Sequence, residues 1–586
     1  MAEYLHPGVY VEEYDSGAVP MQGVSTSTAG FIGLAERGPV EGQPQLVTSF
    51  ADYKRMYGGY LSEAKYGAGR YLPYAVEQFF QNGGSRAYIM RVAAQGSKPA
   101  HAAAGVLHMK AANPGEWGNR IRVTIVPSSK AKSQVLAASG ADLTLKNPDG
   151  FQPGDVVELF DGRTTAYAAV KSTLDHVVTL DAVPALDVVD PKVGTAKYIR
   201  TCELTVTVRA DGSEEVFADV SLNSFANNYI GVRAAKSDLI RFSVHAAPAA
   251  PAPVLKDKDG KEIKQPAPAA RSIVPFHEVG GTDGALLVAL DGGSDGVTTS
   301  VSSDVYLGED NGPGKRTGLQ AFIENNNVSI MAIPGVTDAN VQAALIAFCE
   351  NKASCFAILD LPQELKRTNE VADFRNMYDS TYAAAYHPWL EMFDAGSRRS
   401  AYFPPSGAIA GIYARVDTER GVHKAPANEI VRGCTGLSCS YNDAEQDILN
   451  PQGVNLIRAF TGRGIRVWGA RTISSNGLWK YINVRRLFIY IEQSIKSNTN
   501  WVVFEPNSEV LWNRVTRTIE SFLATCWRDG ALAGTTPEQA YYVECGPTTM
   551  TQDDIDNGRL ICNIGIAPVK PAEFVVFRIT QKTASE

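Results

Sequence analysis

The chain lacks the cysteine, apolar and basic patterns that mark several classes of protein. Its eight cysteines are scattered over 586 residues without a CxxC pair, and Cys434 and Cys439 have no second pair of ligands at metal spacing. No apolar run is long enough to span a bilayer, and the first residues show no basic segment followed by an apolar core. The sequence therefore predicts no metal site, no membrane insertion, and reduced, mostly buried thiols in a cytosolic product.

Motifs of the common catalytic sites are missing as well. There is no GxSxG elbow, no HExxH pair and no Cys/His nucleophile context, and His387 and His423 stand isolated. Residues 308–317 look at first like a phosphate loop, but Glu309 stands where the first glycine is needed, and Arg316 follows the lysine where serine or threonine is needed. We therefore predict a structural turn here, with no catalytic residue and no cofactor. A nucleotide-binding enzyme with a βαβ core stays as the alternative.

Acidic and basic side chains are unevenly distributed. The net charge of −8 argues against general nucleic-acid binding. Residues 1–36 contain five acidic residues and no lysine or arginine, whereas residues 448–491 contain seven basic residues and no aspartate or glutamate. Such asymmetry indicates surfaces that meet complementary surfaces. The alternative for several arginines of the 448–491 run is internal pairing with carboxylates from elsewhere in the chain.

Both ends of the chain have the composition of strands without a nearby partner. Residues 573–581 alternate so that Val575 and Phe577 share one face, and the opposite face is apolar as well. Residues 9–14 form a similar segment. A terminal strand this apolar is an aggregation hazard unless a sheet receives it, so we predict that the chain joins copies of itself through its tails. The predicted inter-subunit residues are Val9, Tyr10, Val11, Glu12, Phe574, Val575, Val576, Phe577, Arg578 and Ile579.

Composition changes along the chain predict a core that is interrupted by an insertion. The outer parts combine apolar strand runs with helical periodicity, including a βαβ pattern at 328–359. The middle is rich in short β runs separated by Gly, Pro and Asp, which is typical of small barrels or sandwiches. The predicted fold class is an α/β (α+β) core formed by both chain ends, with a β-rich insertion and extended arms. The predicted segments are an arm at 1–22, a core at 23–95 plus 276–571, a β-rich insertion at 96–275 that ends in a Pro/Ala-rich linker at 246–270, and an arm at 572–586.

A long amphipathic helix is predicted at Glu509–Arg528. Its apolar residues share one face, and Arg514, Arg517 and Arg528 fall in a narrow stripe on another. A charged stripe is usually a solvated face, but it is also suited to an acidic partner. Other helices are predicted at 49–57, 72–81, 338–351, 404–416 and 481–496, and the tail predicts strands at 541–545, 559–566 and 573–581.

Nine short motifs are spread over both ends of the chain. Together they resemble the contractile tail sheath family, which comprises sheaths of phage tails, contractile bacteriocins and extracellular contractile injection systems. Each motif is weak alone, but their number and order over 1–95 and 300–586 make the resemblance specific. The motifs are PGVYVEE at 7–13, NPGEWGN at 113–119, RTGL at 316–319, PSGAIAGIYAR at 405–415, KAPAN at 424–428, LNP at 449–451, WGART at 468–472, FEPN at 504–507 and APVKPAEF at 567–574.

The resemblance implies a helical homo-oligomer of stacked hexameric rings around an inner tail tube protein, with a baseplate and a tail-terminator or cap protein as further partners. It implies arms that add strands to sheets in neighbouring subunits, an insertion that faces outward, and assembly in the bacterial cytoplasm as part of a virion or a released tail-like particle. Arg514, Arg517 and Arg528 are then the candidate tube-facing residues, and no direct contact with nucleic acid is expected. A static self-assembling shell, which does not contract, is a further alternative.

Overall fold

The computed structural model describes residues 21–160, 165–182, 198–224, 226–245 and 284–578, which belong to two compact units. The first unit contains residues 21–35, 41–92 and 302–578, so that sequence from both sides of the insertion builds it. The second unit contains residues 36–40 and the described part of 93–301. Among the described helices, none combines the length and the apolar character needed to cross a bilayer.

A nine-stranded sheet forms the centre of the first unit. Its six middle strands run parallel, and antiparallel strands lie at both edges. All six residues of Ala29–Leu34 are buried, as expected of a parallel strand that is covered on both faces. The strands in sheet order are Gln45–Val47, Ala87–Val92, Ala29–Leu34, Ile330–Ala332, Phe356–Asp360, Ala383–His387, Val454–Phe460, Gly464–Val467 and Glu429–Ile430.

The predicted βαβ unit lies in the middle of this sheet. Ile330 pairs with Phe356 in parallel register, and helix Ala339–Lys352 connects the two strands. Asp338 caps the helix, because its carboxylate accepts hydrogen bonds from the backbone N–H groups of the second and third helical residues. This cap, a short polar side chain before an apolar helical run, explains why the helix begins at Ala339.

The helices of the first unit pack on the sheet and on one another. Helix Ser406–Arg420 approaches helix Leu72–Gln81 closely because glycines stand at the contact: a Cβ at Gly407 or Gly411 would lie 2.4 or 2.5 Å from a backbone oxygen of the partner helix. The α-helices of the unit are Phe50–Tyr57, Glu63–Tyr66, Leu72–Gln81, Ser303–Leu307, Ala339–Lys352, Thr368–Arg375, Ser406–Arg420, Asp443–Leu449, Ile482–Asn498, Glu509–Arg528, Pro537–Ala540 and Gln552–Asp556.

A second apolar cluster of the first unit lies around helices Ile482–Asn498 and Glu509–Arg528. Strand Tyr541–Cys545 pairs antiparallel with strand Cys562–Ile566, and this pair, here named the C-terminal sheet, packs on the cluster. A further small sheet is formed by Leu390–Asp394, Arg399–Phe403 and Gly436–Leu437. The predicted strand at 559–566 begins only at Cys562, and residues 573–578, predicted as a strand, form none within the described chain.

The second unit is built almost entirely of strands, as the composition of the insertion predicts. Six strands close into a barrel, and a four-stranded and a three-stranded sheet share a separate apolar core. The barrel strands are Thr165–Leu174, Val177–Leu180, Asp142–Leu145, Lys132–Ser139, Tyr198–Thr201 and Val156–Phe160. The other strands are Ser213–Val220, Glu203–Ala210, Arg122–Ser128 and Leu286–Ala289 in one sheet, and Ile240–Val244, Leu107–Ala111 and His101–Ala104 in the other.

The second unit ends later in the sequence than the predicted insertion does. Strand Leu286–Ala289 pairs antiparallel with Arg122–Ser128, so the unit extends to residue 301 instead of ending at 275. It also takes residues 36–40 from the predicted core segment 23–95. Strand pairing across more than 150 residues has no local signature, which is why composition alone places this boundary too early.

Candidate assembly surfaces

Helix Ile482–Asn498 holds the beginning of the described chain against the first unit. The Arg486 guanidinium donates a hydrogen bond to the carbonyl oxygen of Thr26 at 2.9 Å, and the backbone N–H of Val24 donates to the Ser494 hydroxyl at 3.1 Å. These contacts fix the chain immediately before strand Ala29–Leu34. The predicted arm residues Val9, Tyr10, Val11 and Glu12 lie outside the described residues.

The same helix also holds the C-terminal segment. The side-chain amide of Asn483 donates to the carbonyl oxygen of Val569 at 3.2 Å, and the Val569 N–H donates to the carbonyl oxygen of Ala531 at 3.2 Å. Both ends of the described chain are therefore tethered to one helix of the first unit.

Among the described residues of this segment, Glu573 is the last with a hydrogen bond or an ion pair to the body. Its carboxylate accepts two hydrogen bonds from the Arg471 guanidinium, at 2.7 and 2.8 Å. It also accepts one from Asn450 at 2.8 Å and one from the Tyr481 hydroxyl at 3.0 Å, and the Lys480 ammonium lies 3.5 Å away. A bidentate guanidinium–carboxylate pair with further donors holds both position and orientation.

The environment of Glu573 favours its ionised form. Burial alone would raise the pKa of this carboxyl, but the hydrogen bonds from Arg471, Asn450 and Tyr481 and the charge of Arg471 outweigh it and lower the pKa to about 2. Glu573 is therefore ionised at neutral pH. We name these contacts the Glu573 clasp.

Apolar side chains follow the clasp and are exposed. Phe574, Val575, Val576 and Phe577 are 74, 67, 78 and 84% exposed. Arg578 is exposed as well, and the last predicted arm residue, Ile579, lies outside the described residues. Four consecutive apolar side chains in water, directly after a rigid anchor, are a surface that another element is expected to cover.

The C-terminal sheet has open edges. Ala540 and Ala567 are the next opposed residues of the ladder after Tyr541 and Ile566, and they form a hydrogen-bonded pair, because the Ala567 N–H donates to the Ala540 carbonyl oxygen at 2.8 Å. Hydrogen-bonded and non-hydrogen-bonded pairs alternate in an antiparallel ladder, so Val543 and Ile564 form a non-hydrogen-bonded pair and their backbone groups point outward. In the described part of the chain, no third strand pairs with either edge.

Arg514, Arg517 and Arg528 are all exposed on helix Glu509–Arg528, here named the arginine face. The Arg514 guanidinium lies 4.3 Å from the centroid of the Trp501 ring. Arg528 donates to a backbone oxygen of its own helix at 3.2 Å. The opposite face of the helix is buried, as the periodicity predicts, so the three cations are presented on one side of a fixed element.

An exposed aromatic residue lies close in sequence to the arginine face. Phe504 is fully exposed and has a φ of 68°, a left-handed backbone conformation that is uncommon for a bulky residue. Val503 and Val510, on either side of the loop, are also mostly exposed. The FEPN motif at 504–507 contains Phe504, but no sequence pattern gives its exposure.

Most arginines of the basic run at 448–491 are bound within the first unit. Arg486 pairs with Asp417 at 2.6 Å, and Arg458 pairs with Asp443 at 2.7 Å. Arg485 is buried, with its guanidinium 3.5 Å from the centroid of the Trp479 ring. With Arg471 in the Glu573 clasp, the structure favours the internal-pairing alternative over a complementary surface for these residues.

Two places with catalytic side-chain types show no activated group. Residues 308–317 form a turn that is closed by a hydrogen bond from the Glu309 N–H to the Thr317 hydroxyl, and a 3₁₀ turn rather than an α-helix follows. Cys439 Sγ lies 3.6 Å from His387 Nε2, but burial raises the pKa of the thiol and lowers that of the imidazole to about 4. In the described chain, no group of three or more metal-ligating side chains comes together.

Comparisons with known proteins identify the family. Residues 310–473 match the central domain of phage tail sheath proteins, and residues 474–582 match the phage tail sheath C-terminal domain. A putative prophage major tail sheath protein of Pseudomonas aeruginosa is 25% identical over 50% of this chain and 76% of its own length. The tail sheath protein of Burkholderia phage BcepMu is 24% identical over 58% of this chain and 79% of its own length.

The fold is also found in a solved sheath. A sheath complex of the PVC extracellular contractile injection system in its contracted state aligns with a TM-score of 0.51 and 20% identity, over 99% of both chains. The match covers the second unit as well as the first, at the level of fold. The match to the C-terminal domain includes helix Ile482–Asn498, which holds both ends of the described chain, and helix Glu509–Arg528, which carries the arginine face. This chain belongs to the family of contractile tail sheath proteins.

Proposed function

We propose that the chain polymerises into a helical sheath by adding its two tails, at 1–22 and 572–586, as strands to the C-terminal sheets of neighbouring copies. The observation that carries this proposal is the pairing of an unfinished sheet with an unfinished strand. Within the residues that the structure describes, the C-terminal sheet has two strands and open edges, and Phe574–Phe577 leave the Glu573 clasp as an exposed apolar run. When the tail of one copy adds as a strand to the sheet of another, the outward backbone groups of the sheet are paired and the apolar side chains of the tail are covered.

Apolar burial rather than charge holds such a junction. Fully burying one valine or phenylalanine side chain contributes about 1.5–3 kcal/mol, so that Val575 and Phe577 together contribute several kcal/mol per neighbour before the cost of ordering. An exposed ion pair, such as one between Arg578 and the acidic first arm, contributes about 0–1 kcal/mol. Because the donor and acceptor surfaces differ, the contact is heterologous and generates an open helix.

Contraction follows from the way the arms are attached. The strand junctions keep copies linked, while the roots at Val24 and Val569 sit on one helix and let each body turn as a unit. No nucleotide is required if the extended sheath is a kinetic trap and the contracted sheath has larger contacts between bodies. A signal from a baseplate then releases the first ring, and the change passes from ring to ring.

The arginine face is the proposed contact with the inner tube. It presents Arg514, Arg517 and Arg528 on one side of a helix, and exposed Phe504 adds an apolar contact nearby in sequence. The partner that fits is a tube with an acidic outer surface. Stacked hexameric rings, an outward-facing second unit, a terminator protein at the end of the sheath and assembly in the bacterial cytoplasm complete this proposal, with no catalytic residue or cofactor.

Deletion of residues 574–586 tests the arm directly, because it removes the exposed run and keeps the Glu573 clasp. We expect the shortened chain to remain folded, with an unchanged melting midpoint, and to stay monomeric under conditions in which the full chain forms thick hollow tubes visible by electron microscopy. The full chain is the control for assembly, and the melting midpoint is the control for folding. Tubes of full length from the shortened chain would contradict the proposal.

A further inference from the structure

Two cysteines face each other across the C-terminal sheet. Cys545 pairs with Cys562 in the antiparallel register, at the end where the two strands are joined by residues 546–561. The hydrogen bond from the Ala567 N–H to the Ala540 carbonyl oxygen shows that these two residues form a hydrogen-bonded pair. The two kinds of pair alternate along an antiparallel ladder, and Cys545 lies an odd number of residues from Ala540. The cysteine pair is therefore non-hydrogen-bonded.

This register has the geometry that a disulfide needs. Opposed residues of a non-hydrogen-bonded pair have Cα atoms about 4.5 Å apart, which lies within the roughly 4.4–6.8 Å span of disulfides. Side chains of such a pair point to the same face of the sheet and are closer together than those of hydrogen-bonded pairs. Cys545 and Cys562 are free thiols here, and both are half-buried rather than enclosed.

The other close pair of cysteines has a different environment. Cys349 Sγ lies 3.4 Å from Cys355 Sγ, but both residues are at most 1% exposed, in the core beside the nine-stranded sheet. A reagent in solution reaches the half-buried pair and not the enclosed pair while the protein is folded. The two pairs thus provide an internal comparison within one chain.

We propose that Cys545 and Cys562 are a disulfide site, closed by exchange with a low-molecular-weight disulfide such as oxidised glutathione. The thiolate of one cysteine attacks a glutathione sulfur, forming a mixed disulfide and releasing one glutathione thiolate. The thiolate of the second cysteine then attacks the protein sulfur of the mixed disulfide and releases the second glutathione. Two protein thiols are oxidised to one disulfide, one glutathione disulfide is reduced to two thiols, and the two protons given up by the protein thiols are taken up by the released glutathione thiolates.

Closure has a structural consequence for the C-terminal sheet. It fixes the register of two strands that have no third strand beside them in the described chain, and it closes the loop at 546–561. A cross-link over a loop of this length restricts the unfolded chain. A sheath that leaves a reducing compartment then carries a sheet that resists unfolding at its junctions. The site itself depends only on the register and does not rest on the proposed function.

The pKa values of the two thiols set the rate of closure. Burial raises the pKa of both thiols, and the neighbouring Cys545 adds to the rise at Cys562, whose pKa reaches about 12. The hydrogen bond with Cys562 offsets only part of the rise in the pKa of Cys545. The thiolate fraction at neutral pH is therefore small and grows about tenfold per pH unit. Closure is expected to be about ten times faster at pH 8.5 than at pH 7.5.

The test is to incubate the full chain with oxidised glutathione, recover the monomer band from a non-reducing gel and map its tryptic peptides by mass. We expect residues 529–559 linked to residues 560–578, two hydrogens lighter than the separate peptides, with the Cys349 and Cys355 thiols unmodified. The melting midpoint of the oxidised chain should rise by about 5 °C. A stable glutathione adduct on Cys545 or Cys562, or a link from either to another cysteine, would overturn the assignment.

Serine variants separate this site from general oxidation. Cys545→Ser and Cys562→Ser should each abolish the rise in melting midpoint, whereas Cys202→Ser, a half-buried cysteine of the second unit, should retain it. If Cys545→Ser retains the full rise, the stabilisation comes from elsewhere and the proposal is wrong. The peptide map of the unaltered chain decides the question even if a serine variant folds poorly.

Discussion

Most arginines of the 448–491 run are bound within the body, whereas those of the arginine face, which follow in sequence, are exposed. Arg486 is buried with Asp417, and both side chains are less than 5% exposed. Arg517 is exposed, and within the described residues it has no ion pair. The difference shows that a basic stretch combines two roles: cations that hold the body together and cations that are available to a partner.

Removing Arg486 tests the first role and has the largest expected effect on stability. Arg486→Met leaves the carboxylate of Asp417 buried without its partner, which lowers the free energy of unfolding by about 3–5 kcal/mol. Urea unfolding followed by tryptophan fluorescence measures this loss. Arg517→Met is the matched control, and it should change the free energy of unfolding by less than about 0.5 kcal/mol. Equal effects of the two substitutions would remove the distinction.

Glu573→Gln should have an intermediate effect, because the Glu573 clasp lies at the surface of the unit. Loss of the charged hydrogen bonds to Arg471 costs about 1–3 kcal/mol at pH 7. The folded pKa of Glu573, about 2, lies below the ordinary 4.5, so the clasp stabilises above pH 4.5 and fades as the pH falls towards 2. The difference between the original chain and the variant should therefore shrink over that range. A difference that is constant from pH 5 to pH 2 would contradict the assignment.

Charge reversal on the arginine face should have the smallest effect on stability and a clear effect on assembly. Arg514→Glu combined with Arg517→Glu changes the free energy of unfolding by less than about 1 kcal/mol, because both side chains are exposed. We expect it to impair extended sheaths on tubes and to spare contracted sheaths, scored by electron microscopy. Arg367→Glu, at the exposed arginine that directly precedes helix Thr368–Arg375, is the control. Normal extended particles from the double variant would exclude a tube contact here.

Local patterns in the sequence predict most elements of the first unit. Helices Leu72–Gln81 and Glu509–Arg528 have the predicted bounds, because apolar periodicity is a local property of the sequence. The helix predicted at 404–416 is Ser406–Arg420, because its glycines and buried length reflect packing on another helix rather than periodicity. The order of the nine-stranded sheet has no local signature.

The candidate surfaces were predictable only in part. The apolar tail at 573–581 shows in the sequence as an alternating run, although only the structure shows that residues 573–578 pair with no strand in the described part of the chain. The pairs Arg486–Asp417 and Arg471–Glu573 join residues 69 and 102 positions apart, so a basic run does not indicate which of its members are bound. The opposition of Cys545 and Cys562 depends on register, which two scattered cysteines do not reveal.

We propose that the open edges of the C-terminal sheet receive strands from adjacent copies. Val543 and Ile564 have outward N–H groups, so proline at these positions removes donors for an added strand and no hydrogen bond within the sheet. The decisive measurement is electron microscopy of Val543→Pro combined with Ile564→Pro, beside Val543→Ala combined with Ile564→Ala, after circular dichroism shows that both are folded. We predict tubes from the alanine pair and only monomers from the proline pair. Tubes of normal length from the proline pair would contradict the account.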